Sequence, residues 1–398
     1  MKTNFLNKIA NTILYALVFS LVPIYFGLNP LVSLVITYLT VEILSLLVPK
    51  GVIGADVYSD TVLLAARAFI KDVNNKKFQL RPNFTNIIGM FLKDREYSIP
   101  SLSSIRKATT QTTTAMYVNK KTFTVGSSKS CSLTGEQSGS TSVGVTWATK
   151  NVEIYTSFKQ HQGNEVNMAR AFANDLYNAE NSLWESVDAA LLTYLESNKS
   201  GVNNGQSGTF DSANDIMAIS SANKDYFYNL LTSDMKLNNF NPMYLEAFNT
   251  MWEADQRKYI NQGAGNSSNT AFQFAGFEFF PSNLIGIGNI GSTDYTSVHY
   301  VVPEGGVAIL DWNDPLNVKT QTIGNQYWGT YQSILRPEFT FDLFKVTACA
   351  DTSSLGGGTQ DYTEKWELSF NYALAKQPVP SGEAIFKYGI MSGTSFPS

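Results

Sequence analysis

The sequence has little of the residue types on which metal centres, disulfide frameworks and many catalytic sites depend. Its 398 residues include only two cysteines and two histidines. Cys131 and Cys349 cannot supply a disulfide framework, and with His161 and His299 they do not have the spacing of a zinc site. We therefore expect neither a metal site nor a cofactor site.

Charge is also scarce. Asp, Glu, Lys and Arg make up 16% of the chain, and the net charge is −4. A protein that grips nucleic acid directly usually has a basic face, and the composition shows no basic excess. In contrast, hydrophobic residues make up 43% and aromatic residues 13%. This composition suits a large core and extensive contacts with other protein molecules.

The first 50 residues contain the longest uncharged stretch, between positions 9 and 41. Two apolar pieces within 9–48 are each about long enough to cross a bilayer as a helix. Lys2 and Lys8 before them and Lys50 after them would leave both ends of a membrane hairpin in the cytoplasm. The alternative is a helical hairpin buried in protein or in an assembly, which the polar residues in both pieces favour. Both interpretations stay open.

The middle of the chain predicts an extended hairpin and then a long helix. Residues 109–162 hold two segments rich in Thr, Val and aromatic residues, which predict strands around the polar loop SSKSCSLTGEQSGS. Over 164–199, apolar residues recur every three or four positions, which predicts one helix about 50 Å long. An isolated hairpin is only marginally stable, so we expect this one to lie against other protein.

Shorter helices are predicted elsewhere, and the last third of the chain is strand-like. Apolar periodicity predicts helices at 56–72, 221–238 and 241–261. From residue 271 onward, four segments alternate apolar and polar residues and are rich in aromatics, which is typical of strands. The sequence therefore predicts an α+β protein.

The stretch LIGIGNIGS contains Gly286, Gly288 and Gly291 in a G-x-G-x-x-G pattern. A dinucleotide site needs a helix directly after such a turn, because the pyrophosphate binds at the helix N-terminus. The following residues, STDYTSVHYVV, predict a strand instead. We therefore expect a loop between two strands and no nucleotide site.

Candidate catalytic residues lack a supporting motif. His299 lies in a strand pattern, where histidine is more often a packed or interface residue than a catalyst. The acidic pairs Asp311/Asp314 and Glu338/Asp342 have the chemistry for acid–base catalysis, but turn formation explains the sequence DWNDP equally well. We expect no enzymatic activity, and a hydrolase that uses His299 is the minor alternative.

The order of these segments resembles that of the major capsid proteins of tailed bacteriophages. The resemblance is carried by the hairpin at 109–162 leading into ARAFANDLYNAENSLWESVDAALLTYLESNK. It continues in KYINQGAGNSSNTAFQFAGFEFFPSNL and VHYVVPEGGVAILDW, which look like the axial-domain segment of that family. The aromatic, charge-poor composition is closest to capsid proteins of phages that infect Bacteroidota.

The resemblance implies an α+β tailed-phage capsid fold, to which the sequence adds an apolar helical hairpin at the N-terminus. The implied segments are the apolar hairpin at 1–50, an N-terminal arm at 51–110, an extended β-hairpin loop at 111–162, a peripheral domain with a spine helix at 163–220, an axial domain at 221–335 and return strands to the peripheral domain at 336–398. The apolar hairpin is a departure from the family.

The resemblance further implies a structural protein that self-assembles through hexamers and pentamers into an icosahedral shell. Such a shell encloses double-stranded DNA without reading its sequence, is assembled in the host cytoplasm and becomes part of the virion. Scaffold, portal and decoration proteins are further expected partners, and membrane contact through 9–48 stays open. The alternative is a membrane-anchored surface or periplasmic protein with a β-rich ectodomain.

Two groups of residues are the candidate contacts between subunits. One group lies at the predicted hairpin tip and the other in the glycine run, where small residues let neighbouring backbones approach closely. The candidates are Cys131, Thr134, Gly135, Glu136, Gly286, Gly288 and Gly291.

Overall fold

A computed structural model describes most of the chain after residue 84. The described residues are 85–118, 123–125, 135, 137, 139–157, 165–199, 208–238, 240, 243–256, 276–351, 360–378 and 384–393. The chain divides into two compact units, Met1–Leu64 and Ala65–Ser398, and every described residue belongs to the second. The predicted helices at 9–48 and 56–72 lie outside the described residues.

The described residues form a mixed α+β fold, as predicted. The helices are α1 (Ile87–Leu92), α2 (Arg95–Ser98), α3 (Leu102–Lys107), α4 (Glu165–Ser197), α5 (Phe227–Leu237) and α6 (Pro315–Val318), with 3-10 helices at Ser221–Tyr226 and Thr250–Trp252. The strands are β1 (Thr114–Val118), β2 (Ser140–Gly144), β3 (Trp147–Ser157), β4 (Thr209–Asp211), β5 (Ile216–Ile219), β6 (Tyr244–Phe248), β7 (Phe277–Pro281), β8 (Gly288–Ile290), β9 (Thr293–Pro303), β10 (Val307–Trp312), β11 (Gln321–Ile323), β12 (Gln326–Gln332), β13 (Thr340–Asp351), β14 (Gln360–Lys376) and β15 (Phe386–Met391).

The first of two large sheets, sheet one, is antiparallel and has the strand order β10-β14-β13-β12-β11. Strand β3 lies outside this order and also pairs with β14. The 17-residue strand β14 is central and pairs with β3, β10 and β13. One face carries a row of aromatic side chains that packs on α4. There, the Trp184 ring lies 5.0–5.2 Å from the rings of Phe339, Phe341 and Phe370.

Helix α4 confirms the predicted long helix almost residue for residue, with 33 residues. Its apolar residues recur at steps of three and four and are buried, which is the pattern of a helix with one face on a core. The buried apolar residues include Phe172, Leu176, Leu183, Val187, Leu191 and Leu195.

The second large sheet, sheet two, has the order β4-β5-β15-β9-β6-β7, with β8 paired to β9. Strands β5, β6 and β15 are buried at every position, which explains why they lack the alternation of apolar and polar residues that marks a half-buried strand. Helix α5 packs against this sheet through Phe227 and Leu231. The core of this layer also contains Trp252 and Tyr388.

The extended hairpin is present as the antiparallel pair β1–β2. Ala115 and Tyr117 are buried against sheet one, on the face away from α4, and the Tyr117 hydroxyl donates to the Ala375 carbonyl at 3.2 Å. The second predicted strand is divided, because from Trp147 onward the chain leaves the hairpin as β3 and pairs with β14. The hairpin base is therefore anchored on its own chain.

The predicted helix at 241–261 is wrong where β6 forms. The residues YLEAF have an acceptable helical pattern, but β6 lies between β7 and β9 with all five residues buried. Tertiary burial overrides local propensity there.

The predicted boundary at residue 336 does not coincide with the sheets. Strands β10, β11 and β12 precede it and belong to sheet one, whereas β15 follows it and belongs to sheet two. Strand β15 runs parallel to β5 and antiparallel to β9. These pairings join residues far apart in sequence, so local patterns do not reveal them.

Candidate functional site

The glycine run forms a tight hairpin in sheet two. Gly291 has a positive φ of 62° and occupies the two-residue turn between Ile290 and Thr293, which pair across β8 and β9. Gly288 has a φ of 102°. A strand follows the run, as predicted, and not the helix that a phosphate would need.

The segment before this hairpin is attached to the end of β6. The Ser282 backbone N–H donates to the Phe248 carbonyl at 2.8 Å, and the Asn249 side-chain amide donates to the Ile285 carbonyl. These bonds place the glycine run beside the 3-10 helix at Thr250–Trp252. Gly286 has no heavy atom within 4 Å of the position that a Cβ would take, so the run borders open space there.

Large apolar side chains are exposed around this attachment. Ile287 is 44% exposed and Met251 is 67% exposed. Tyr226, 63% exposed, lies two residues after Lys224, whose ammonium contacts Asp255 and the Trp252 ring. We call Tyr226, Met251 and Ile287, together with the glycine run, the rim of sheet two. Where exposed apolar groups form a contiguous patch, they mark a surface suited to contact with another molecule.

The hairpin supplies a second exposed surface. Tyr117 on one face of β1 is buried, whereas Met116 on the opposite face is 40% exposed. Farther along, Phe123 is 53% and Val125 92% exposed. The structure thus places the exposed side chains of Phe123 and Val125 beyond an anchored base.

The predicted contact residues fall into three classes. Gly135 is described and exposed, and Gly286, Gly288 and Gly291 lie in the rim of sheet two. The other three, Cys131, Thr134 and Glu136, lie outside the described residues. The structure places the hairpin on sheet one and the glycine run in sheet two, and their role as subunit contacts stays a prediction.

His299 is a buried core residue. Its Nδ1 lies 2.6 Å from Glu246 Oε1 and its Nε2 lies 2.8 Å from Ser297 Oγ, and all three residues are at most 1% exposed. The rings of Phe227 and Trp252 lie 4.5 Å and 5.0 Å from the imidazole. Ser297, His299 and Glu246 are of the residue types found in a catalytic triad. However, they are buried beneath aromatic rings, so a substrate has no access to them.

Sequence reasoning missed Glu246 as the partner of His299. Ser297 and His299 are two positions apart on a strand and so point to the same side, which the sequence does reveal. Glu246 lies on β6, the segment predicted as a helix, so the pairing was hidden.

The acidic candidates have structural partners. Asp311 accepts hydrogen bonds from the guanidinium groups of Arg95 and Arg106, at 2.8–3.2 Å. Asp314 caps α6 by accepting the Leu316 backbone N–H. Asp342 accepts from the side-chain amides of two asparagines and from the Asp314 backbone N–H. These contacts account for the acidic side chains without invoking catalysis.

The part of the chain that the structure describes holds no group of three or more His, Cys, Asp or Glu side chains suited to a metal ion. No helix there is long and apolar enough to cross a bilayer. The apolar stretch at 9–48 lies outside that part.

No protein-family model matches the chain, and no curated protein matches it. Among solved structures, it is similar to a chain of Mycobacterium phage Che8, with 12% identity, a TM-score of 0.41 and coverage of 78% of this chain and 93% of that chain. It is similar to a chain in the capsid structure of the cyanophage P-SCSP1u, with 12% identity, a TM-score of 0.39 and coverage of 72% and 85%. A chain in the capsid of Ralstonia phage GP4 has 9% identity, a TM-score of 0.37 and coverage of 72% and 85%.

Proposed function

We propose that this chain is the major capsid protein of a tailed bacteriophage. In this role, copies assemble through pentamers and hexamers into an icosahedral shell, with no enzymatic step. The hairpin tip, including Cys131, Thr134, Gly135 and Glu136, and the rim of sheet two with Gly286, Gly288 and Gly291 would form contacts between subunits. The segment boundaries implied by the resemblance, apart from the one at residue 336, are part of the same proposal.

The observation that carries the proposal is that large apolar side chains are exposed both on the hairpin and on the rim of sheet two. The outer hairpin is anchored on sheet one, and the rim belongs to sheet two. Two different surfaces on one chain permit contacts between unlike patches, and such heterologous contacts build closed rings and shells when their rotation closes. A hairpin with apolar residues as exposed as Val125 gains stability when a neighbouring copy covers it.

The composition supports the remaining parts of the proposal. A net charge of −4 suits a container in which double-stranded DNA is confined rather than read. The scaffold, portal and decoration proteins, assembly in the host cytoplasm and a Bacteroidota host are finer parts of the proposal. The host assignment rests on composition alone.

The test is assembly of the full chain expressed alone. We expect closed particles by sedimentation and electron microscopy. Met251→Asp should lower particle yield by more than about tenfold, because an unpaired carboxylate in a contact costs several kcal/mol and each 1.4 kcal/mol is tenfold.

Val318→Asp is the matched control, since Val318 in α6 is 58% exposed and lies outside both surfaces. It should assemble like the wild type. A wild-type chain that stays monomeric under all conditions would overturn the proposal. An equal loss of particle yield in both variants would show that the rim is not a contact surface.

A further inference from the structure

Three acidic residues at equal steps along α4 each bind a different part of the fold. They are Glu180, Asp188 and Glu196, eight residues or about 12 Å apart along the helix axis. Glu180 and Asp188 are at most 1% exposed, whereas the Glu196 side chain is 42% exposed. The helix therefore carries two buried attachment points and one that solvent reaches.

The first two carboxylates hold elements onto α4 and sheet one. Glu180 accepts hydrogen bonds from the hydroxyls of Tyr331 and Ser333 at 2.5 Å and 2.8 Å, and from the backbone N–H groups of Ile334 and Leu335. It thereby fixes the connection between β12 and β13. Asp188 accepts the Ile88 backbone N–H at 2.7 Å and holds the first turn of α1.

Glu196 instead binds sheet two. The Tyr300 hydroxyl donates to its Oε2 at 2.5 Å, and Lys387 Nζ contacts both carboxylate oxygens at 3.0–3.1 Å. Tyr300 on β9 and Lys387 on β15 are directly opposite each other in the sheet, with the ammonium 5.5 Å from the ring centre. One carboxylate thus holds a cross-strand pair near the middle of sheet two.

The position of Glu196 opposes local helix energetics. It lies in the last turn of α4, where the helix dipole favours cations, and that turn carries no basic residue. Lys199, just beyond the helix, donates to Oε1 at 2.5 Å. Burial opposes ionisation, but hydrogen bonds from Lys199, Tyr300 and Lys387 outweigh it and lower the pKa of Glu196. A residue that breaks a local rule and is held by distant partners as well as by a local one points to a role in tertiary organisation.

Sheet two has a second attachment to the rest of this unit at α1. Gly89 of α1 lies directly against the Phe280 ring of β7, closer than any added Cβ would allow. The Ser282 hydroxyl, just after β7, donates to the Thr85 hydroxyl at 2.8 Å. Attachments at β7 and at the β9–β15 pair are separate points on one sheet, and together they restrict its tilt relative to α4.

We propose that Glu196 is a coupling residue that fixes the tilt of sheet two relative to α4, and that this tilt sets the curvature of the assembled shell. The role of this tilt in setting the curvature of the shell rests on the proposed function. The hairpin is anchored on sheet one and the rim belongs to sheet two, so the tilt determines the angle between the two contact surfaces. In a closed assembly, that angle determines how many copies close the shell.

The test compares particles of the wild type, Glu196→Gln and Glu153→Gln, all as full chains. Glutamine keeps one acceptor for Tyr300 but removes the charge that holds the two lysines. We expect Glu196→Gln to lose the single particle diameter of the wild type in electron microscopy. Glu153, exposed on β3, is the matched control, and its variant should keep the wild-type diameter.

Exchanging the charges of Glu196 and Lys387 should rescue the particle diameter. The double variant Glu196→Lys with Lys387→Glu restores an ion pair, and a lysine suits the helix C-terminus, so it should restore the single diameter. If Glu196→Gln does not fold, the wild type is assembled at about 0.1 M and about 1 M salt, where the Debye length falls from about 10 Å to about 3 Å. A mixed diameter at high salt then supports the proposal.

The outcomes separate the two proposals. Wild-type chains that form no particles overturn the proposed function, and the curvature role with it. Wild-type particles accompanied by unchanged Glu196→Gln particles overturn the coupling role alone, as do unchanged diameters at high salt when that variant does not fold.

Discussion

At the residue scale, buried carboxylates without a full ionic partner are the most telling groups in this protein. Asp342 on β13 is 6% exposed and accepts hydrogen bonds from Asn313, Asn371 and the Asp314 backbone. Burial raises the pKa of Asp342 from 3.8 to about 6, although these hydrogen bonds oppose the rise. The folded chain therefore takes up a proton there more readily than the unfolded chain.

This shift predicts a pH-dependent stability with a defined sign. Because the pKa of Asp342 is raised in the folded chain, its contribution to the free energy of unfolding is fully present below about pH 4. This contribution is lost as the pH rises through about 6. The loss is at most about 1.4 kcal/mol per pH unit. In Asp342→Asn the group no longer titrates, so the free energy of unfolding of the wild type should fall relative to that of the variant between pH 4 and pH 7.

Denaturant unfolding of both proteins across this range measures the difference. Asp188→Asn should behave in the same direction, since burial also raises the pKa of Asp188 to about 6. A difference between wild type and Asp342→Asn that stays constant with pH would contradict the assignment.

At the scale of the element, the β8–β9 hairpin shows why the glycine run is rich in glycine. Gly291 adopts a left-handed conformation, and an added Cβ would lie 2.6 Å from the Asn214 side-chain nitrogen. Gly286 has neither a positive φ nor a close neighbour. The structure thus requires glycine at position 291 but not at position 286, although the two residues appear equivalent in the sequence.

Gly291→Ala should therefore destabilise the fold by about 1–2 kcal/mol, the cost of a left-handed conformation for a residue with a Cβ. Thermal unfolding of the unassembled chain measures this cost. Gly286→Ala is the matched control and should change stability by less than about 0.5 kcal/mol. Equal destabilisation by both substitutions would show that the turn geometry is not the cause.

At the scale of the whole molecule, the hairpin is divided between an anchored base and an outer part. Ala115 and Tyr117 belong to the core on sheet one, whereas the farther residues Phe123 and Val125 are exposed. Folding of the chain should therefore depend on the base, and assembly should depend on the outer part.

Replacing residues 119–139 with Asn-Gly tests this division. Val118 pairs with Ser140 at the cut, and Asn-Gly suits a two-residue hairpin turn. We expect a folded chain with wild-type circular dichroism and thermal midpoint but no particles. Particles of normal yield would remove the hairpin from the assembly surfaces, and an unfolded product would show that the outer part contributes to folding.

The sequence by itself determined the elements that depend on local pattern. The period of α4, the strand that follows the glycine run and the hairpin around a Gly/Ser-rich loop were all predicted, because helix and strand periods are written in neighbouring residues. The mixed α+β class follows from the same local patterns.

Only the tertiary structure decided which elements pair and which polar groups meet. Strand β6 exists because β7 and β9 bury it, and β15 enters sheet two through pairings with β5 and β9. The contacts of Glu196 with Tyr300 and Lys387 join residues more than 100 positions apart. Such contacts depend on long-range burial, whose free energy no single stretch of sequence contains, so local periodicity could not predict them.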